Sequence, residues 1–343
     1  MSKRYQFFGV DGFGTYEIDL ERQSFQRVDG IAETTLVPGF VDIHTHGAFG
    51  IDFMSATQSE MLTLCSKLAD LGYEAFLPTT VTASAADVIK AISNLPNSPM
   101  IAGFHLEGPF ISPVYPGAQP KESIVDAPIS PSEWDVVLDD PRLKVITMAP
   151  ERPGALAMIQ RLSKRGVRVS MGHTNATFAE AEAGFRAGAL HTTHTYNAMR
   201  SLHHREPGLV GYVMSNDEIY SELIYDRLHV KRGAAEVLLR TKSNNRVIAV
   251  SDSVMAAGLP AGQTIKMWNL DVVVGDHEVR LTDGTLAGSG ITLLDAFRNL
   301  ADDFGQETAI KLCSINPRRA IGLNQPPSKY VEFDQNLNIV QIY

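Results

Sequence analysis

From about residue 36 the chain alternates between short apolar runs that end on polar residues and longer amphipathic stretches. Runs at Leu36–His46, Ala75–Thr82, Met100–Glu107, Lys144–Ala149, Val167–His173, Leu190–Tyr196, Ser221–His229 and Arg246–Asp252 have the length and residue types of buried strands. Between them, apolar positions recur at helical spacing. In 57–71, Met61, Leu64, Cys65, Leu68 and Leu71 fall three or four residues apart, and Gly72 stands where a C-terminal cap belongs. The same reading predicts helices at 84–95, 130–138, 154–165, 176–187 and 231–241. Strands alternating with helices over short connections indicate parallel βα units, and eight of them predict a closed (β/α)8 TIM barrel.

Both ends of the chain break this rhythm. Residues 1 to about 37 contain short alternating segments such as Gly14–Leu20, split by Gly and Asp. Residues 264–287 turn strand-like again, helices follow near 291–304 and 306–321, and Tyr330–Tyr343 ends with strand character. The expected organisation is an α/β barrel over 37–322. A small β-sandwich-like domain is expected from 1–36 and 323–343, with the strands around 264–287 as a further contribution.

The potential ligands fall at one end of these units. His44 and His46 close the first predicted strand, Glu107 the third, His173 the fifth, His194 the sixth, His229 the seventh and Asp252 the eighth. In a parallel barrel those ends meet at the mouth where active sites are built. Each residue alone has a plain structural reading. A single H-x-H is common, a lone Glu can be a surface carboxylate, one of ten histidines can be a satisfied core residue, and Asp252 can cap the next segment. Their joint placement is what chance explains poorly. His and carboxylate donors without cysteine suit zinc, iron or manganese, and a divalent ion with an open position would ionise water near neutral pH. Asp252 is then placed as the general base.

Composition narrows the partners. The net charge of -9, with Lys and Arg scattered, argues against nucleic acid but allows a phosphorylated metabolite held by one or two local cations. Arg205, in the loop His203–Gly208, is one such cation, and an exposed ion pair is its alternative reading. Leu286-Ala287-Gly288-Ser289 precedes a helix, and its N–H groups could meet an anion or a sugar hydroxyl; helix entry capped by Ser289 is the alternative. No apolar run reaches the roughly 18 residues of a membrane span, and two cysteines give no disulfide framework. A cytoplasmic setting is expected.

Val37–Gly47 resembles the opening strand of the amidohydrolase superfamily. His105–Pro109, Gly172–Ala176, Thr193–Met199, Arg205–Gly211 and Leu286–Ser289 together resemble its N-acetylglucosamine-6-phosphate deacetylase family. The resemblance runs from about Leu36 to Leu323. It implies Glu107, His173 and His194 as the main metal ligands, His44 and His46 as holders of a second metal in some members, and Asp252 as the acid/base. It further implies substrate contacts from Ala118, Gln119, Asn197, Ala198, Leu286, Ala287 and Gly288, and phosphate binding by His229 and Arg205. Arg205 would reach the active site of a neighbouring subunit, so a homodimer is expected. The implied activity is metal-dependent hydrolysis of the acetamide of N-acetylglucosamine 6-phosphate, in amino-sugar catabolism and cell-wall sugar recycling. The galactosamine epimer, another amidohydrolase reaction and a non-catalytic sugar-phosphate sensor are the rivals. Two positions depart from the family pattern. Gln119 replaces a histidine expected near the substrate carbonyl, and Arg227 stands where Gly is usual, which could strengthen anion binding beside His229.

Overall fold

The computed structural model describes residues 2–343 except Asn269 and Asp283. Each of the eight expected runs yields a strand: β1 (Phe40–Thr45), β2 (Tyr73–Pro78), β3 (Phe104–Glu107), β4 (Leu143–Met148), β5 (Arg168–Met171), β6 (His191–Thr192), β7 (Tyr220–Ile224) and β8 (Val247–Val250). The first run, expected as one strand from Leu36, is divided, and its Thr35–Pro38 part joins a different sheet. Six of them, β3 to β8, make one parallel sheet in sequence order, and β1 pairs in parallel with β2. Isolated parallel bridges Phe76↔Ile101 and Thr79↔His105 join β2 to the β3 side, and Thr45↔Ser253 joins β1 to the segment after β8. The result is an α/β fold on a parallel sheet.

Two apolar layers hold these strands. Val41, Ile43, Leu77, Val145, Ile224 and Val250 pack with one another in one cluster. A larger cluster joins Phe40, Phe76, Leu106, Ile146 and Leu223 to the helices, through residues such as Leu64, Leu68, Ile159 and Leu162. The helices begin where their sequences allow. Thr57 and Glu60 form a capping box before Gln58–Asp70, Thr177 and Glu180 form another before Phe178–Ala187, and left-handed Gly188 ends the latter. The helix expected over 130–138 shrinks to Asp135–Leu138, and Gly208–Ser215 is helical without having been anticipated. That segment buries Gly208, Leu209, Val210, Tyr212 and Val213, so it lacks the polar face that makes a helix legible.

The two chain ends pair into one six-stranded mixed sheet, built from Lys3–Gly9, Gly12–Asp19, Ser24–Arg27, Thr35–Pro38, Tyr330–Phe333 and Ile339–Ile342. A single hydrogen-bonded sheet thus accounts for the strands read as sandwich-like. The strands Thr264–Met267, Leu270–Val274, Glu278–Leu281 and Leu286–Ser289 do not join it; they form their own four-stranded antiparallel sheet. Its last strand is tied to the end of β8 by a Ser253↔Ser289 bridge, so this insertion borders the mouth. Among the described residues no helix is long and apolar enough to cross a membrane.

One buried histidine lies outside the ligand cluster. Burial, then the charges of Arg168 and Arg246, push His191 down to about 3. An unfolded chain protonates this ring between about pH 6.5 and 3 while the native protein resists, so its contribution is complete above 6.5 and is lost on acidification. The stability lost between pH 7 and pH 4 is expected to be smaller in His191→Gln by on the order of 3 kcal/mol, read from urea unfolding at the two pH values. Equal losses in both proteins would refute it.

Candidate metal centre and catalytic cleft

The site is assembled at the carboxyl ends of the strands. His44 lies within β1 and Glu107 ends β3, whereas His173, His194 and Asp252 each stand two residues past a strand end. All three take left-handed backbone conformations, with φ of 45°, 29° and 47°. Such conformations are costly for residues with a Cβ and concentrate at functional sites. Here they turn His173 and His194 toward Glu107, and Asp252 toward His44 and His46. Gly108 allows the chain to leave Glu107, at φ 72°; a Cβ there would lie 2.1 Å from Thr82 Oγ1.

Glu107 is buried at the centre of the cluster. Its Oε1 lies 3.1 Å from His173 Nε2, 3.2 Å from His194 Nε2 and 3.4 Å from His44 Nε2, and its Oε2 lies 3.2 Å from His46 Nε2. Asp252 Oδ1 sits 3.3 Å from His44 Nε2 and 3.2 Å from His46 Nε2. The other ring nitrogens decide what these approaches mean. His173 Nδ1 faces the Tyr115 carbonyl at 3.1 Å, and His46 Nδ1 faces the Thr79 carbonyl at 3.1 Å. A carbonyl only accepts, so each Nδ1 carries the proton, and in a neutral ring Nε2 is left with a bare lone pair. Those lone pairs point at carboxylates, and His173 Nε2 lies 3.1 Å from His194 Nε2. Acceptors converging on acceptors need a cation among them.

The electrostatics express the same need. Burial would lower His46, yet Asp252 and Glu107 win and push it up to about 9. Burial would raise Glu107 and Asp252, but the His44 charge and hydrogen bonds from neighbouring histidines hold Glu107 well below the carboxylate range and Asp252 near about 2. Two sets have donor atoms close enough for one ion: Glu107 with His173 and His194, and His44 with His46 and Asp252. The buried His44 Nε2 has no hydrogen-bond partner, as an atom reserved for a cation would have none. A third set, His44 with His105 and Glu222, is occupied internally. Its His44 Nδ1 lies 3.0 Å from Glu222 Oε2, and both His105 nitrogens meet Ile43 O and Thr147 Oγ1.

A profile of the amidohydrolase family matches residues 35–326. The chain belongs to the amidohydrolase family. It is 35% identical to N-acetylglucosamine-6-phosphate deacetylase of Lysinibacillus sphaericus, covering 94% of this chain and 85% of that protein. It is 33% identical to N-acetylgalactosamine-6-phosphate deacetylase of Escherichia coli O157:H7, covering 90% and 86%. The solved structure of a mutant Mycobacterium smegmatis N-acetyl-D-glucosamine-6-phosphate deacetylase, in complex with N-acetyl-D-glucosamine-6-phosphate, superposes with a TM-score of 0.88 at 30% identity, over 97% of this chain and 93% of that one.

In this amidohydrolase a cavity of about 320 Å³ opens over the cluster. Of the residues expected at the substrate, Ala118, Gln119, Asn197, Ala198 and His229 line it, as do Leu286 and Gly288. Ala287 does not: strand alternation turns its side chain into the core of the inserted sheet with Val254 and Val272. Arg205 is exposed, next to the close, tilted ring pair of His203 and His204, and is not part of the chain's own cavity. His229 lies in a turn past β7 rather than at a strand end. Asp226 Oδ2 accepts from its Nδ1 at 2.6 Å, which leaves Nε2 for a ligand.

Both departures from the family pattern find physical roles. Gln119 donates from Nε2 to Glu107 Oε2 at 2.6 Å and accepts the Thr82 N–H at 2.7 Å, so it orients Glu107. Arg227 adds no cation to the cavity. Its guanidinium pairs with Asp303 at 2.7 Å and Asp302 at 2.6 Å, and its φ of 65° explains why glycine suits this position. The residue reading passed over Glu222, fully buried in β7, which also accepts the His194 N–H at 3.1 Å. The signal was a carboxylate inside the apolar run Ser221–Ile224, since unpaired charges are rarely buried. Trp268 and Arg280, from the inserted sheet, line the cavity without any anticipating motif.

Proposed function

We propose that the protein hydrolyses the acetamide of N-acetyl-D-glucosamine 6-phosphate to D-glucosamine 6-phosphate and acetate, within amino-sugar metabolism. The convergence of Asp252 and four imidazole Nε2 atoms around Glu107, at the floor of a cavity carrying His229 and Asn197, supports this reading most directly. The amidohydrolase family is metal-dependent. Glu107, His173 and His194 would hold one divalent ion, and His44, His46 and Asp252 form a group able to hold a second; zinc, iron and manganese suit these donors. When bound, the metal supplies Lewis acidity toward the amide carbonyl and toward water.

The chain's own groups do the rest. Asp252, kept ionised by its histidine neighbours, takes a proton from the attacking water and returns it to the amine nitrogen, which must be protonated to leave. Its backbone is pinned on both sides, the N–H to the His44 carbonyl at 2.9 Å and the carbonyl to Ser289 N at 2.8 Å. His229 and Asn197, with the backbone at Ala118, Ala198 and Leu286–Gly288, would hold the sugar phosphate, using remote binding energy to place the amide.

The assembly belongs to the same proposal. The bridges at both edges support reading β1 to β8 as a closed (β/α)8 barrel over 37–322, with 1–36 and 323–343 as a small β domain. An exposed Arg205 supports a homodimer in which this arginine meets the phosphate in the neighbouring subunit. Two buried, unpaired cysteines favour a reducing cytoplasm.

Acetate release from N-acetylglucosamine 6-phosphate is expected to be abolished by chelator and restored by divalent metal. The relative acting on the galactosamine epimer motivates the second reading. On our proposal kcat/KM is higher for the gluco epimer; the reverse order would favour the alternative. A protein that binds the sugar phosphate without a single turnover would be a sensor.

A further inference from the structure

Trp268 is the only Trp, Tyr or Phe among the described residues lining the catalytic cavity. It sits in the turn between Thr264–Met267 and Leu270–Val274, with φ of 51°, a left-handed conformation unfavourable for a large side chain. The indole is fixed on two sides. Its ring meets His46 nearly perpendicularly at 75°, with centroids 5.4 Å apart, and its Nε1–H donates to Asp52 Oδ2 at 2.7 Å. Asp52 is itself buried and held, since its Oδ1 accepts the Met54 N–H at 2.9 Å.

Trp268 also borders a second, open cleft of about 750 Å³, walled by Met54, Val81, Met255, Met267 and Leu270 on its apolar part and by Asp87, Glu122 and Lys266 on its polar part. Trp268 lines both spaces. The reacting carbonyl must lie against Asp252 and the histidines, and it carries two substituents. The groups suited to a sugar phosphate, Asn197 and His229, follow His194 and β7. Trp268 stands beside His46, one of the histidines against which that carbonyl must lie.

We infer that the acyl substituent points toward Trp268, that the indole closes it off from the second space, and that Trp268 is thereby a specificity-determining residue limiting the acyl group to acetyl. This rests on the deacetylase reading and extends it. The chemistry is unchanged with a longer chain: water adds its oxygen to the carbonyl carbon, the C–N bond breaks, and carboxylate and protonated amine leave. Only the space for added methylenes differs. One methylene in a tight apolar pocket changes discrimination by roughly 10- to 200-fold.

The test measures kcat/KM of the full-length, metal-loaded protein on N-acetyl-, N-propionyl- and N-butyrylglucosamine 6-phosphate. The wild type is expected to lose at least about tenfold from acetyl to butyryl. Trp268→Ala should raise the butyryl-to-acetyl ratio about tenfold or more by opening the second cavity, with Trp268→Phe between the two. Phe keeps an apolar ring in place should the Ala variant fold poorly, and its ratio alone decides the direction. A wild type indifferent to chain length, or ratios unchanged in both variants, would overturn the gate. Should the wild type release no acetate from the acetylated substrate, the functional reading falls, and the gate with it.

Discussion

Replacing Asp252 by Asn is expected to lower kcat by about 10³- to 10⁴-fold, the upper part of what a positioned acid/base contributes. Asn fills the same volume and keeps the backbone pins to His44 and Ser289. It cannot accept a proton from water or deliver one to the departing amine. Because Glu107, His173 and His194 form a set without Asp252, metal bound there should persist. KM should therefore change much less than kcat, and metal analysis should still find bound ion. Normal turnover in this variant would remove Asp252 from the chemistry.

Glu107→Ala should be the most damaging change at the centre. This carboxylate approaches all four histidine Nε2 atoms and accepts from Gln119. Its loss should weaken metal binding by more than the ~10- to 100-fold typical of an outer-sphere partner, and activity should fall with occupancy. The metal-free variant should also be less stable by roughly 3–5 kcal/mol, because buried cationic imidazoles lose their counter-charge. Metal titration and urea unfolding of the chelated protein check the two effects separately. Full metal content in the Ala variant would show that other residues carry the ion.

Much of this arrangement is legible without coordinates. Strand positions follow from apolar runs, and the helix at 58–70 follows from Met61, Leu64, Cys65 and Leu68, because a helix or strand that buries one face writes its period into the chain. The Gly208–Ser215 helix leaves no such record, since it is buried on more than one side. Gln119 and Arg227 show the limit for single residues. Their chemistry could be named from the sequence, but what each touches could not. Gln119 turned out to brace Glu107, and Arg227 to be neutralised by Asp302 and Asp303.

By itself the sequence determined the parallel βα order, the chemical types at the strand ends and the exclusion of a cysteine-based metal site. These are local properties, set by period and composition. Only the tertiary structure decided how the ends are used. Alternation along the strand puts His44 and His46 on one face, as found. The register of β1 against β2 shifts between Phe40 and Val41 and again between Asp42 and Thr45, however, and only the fold sets that face against Glu107 and Asp252. His173 and His194 reach Glu107, and Asp252 reaches His44 and His46, through left-handed backbones that no glycine advertises. Trp268 meets His46 across more than two hundred residues of chain. Contacts of that kind depend on which surfaces pack together, and a pattern read along one chain holds no record of its neighbours in space.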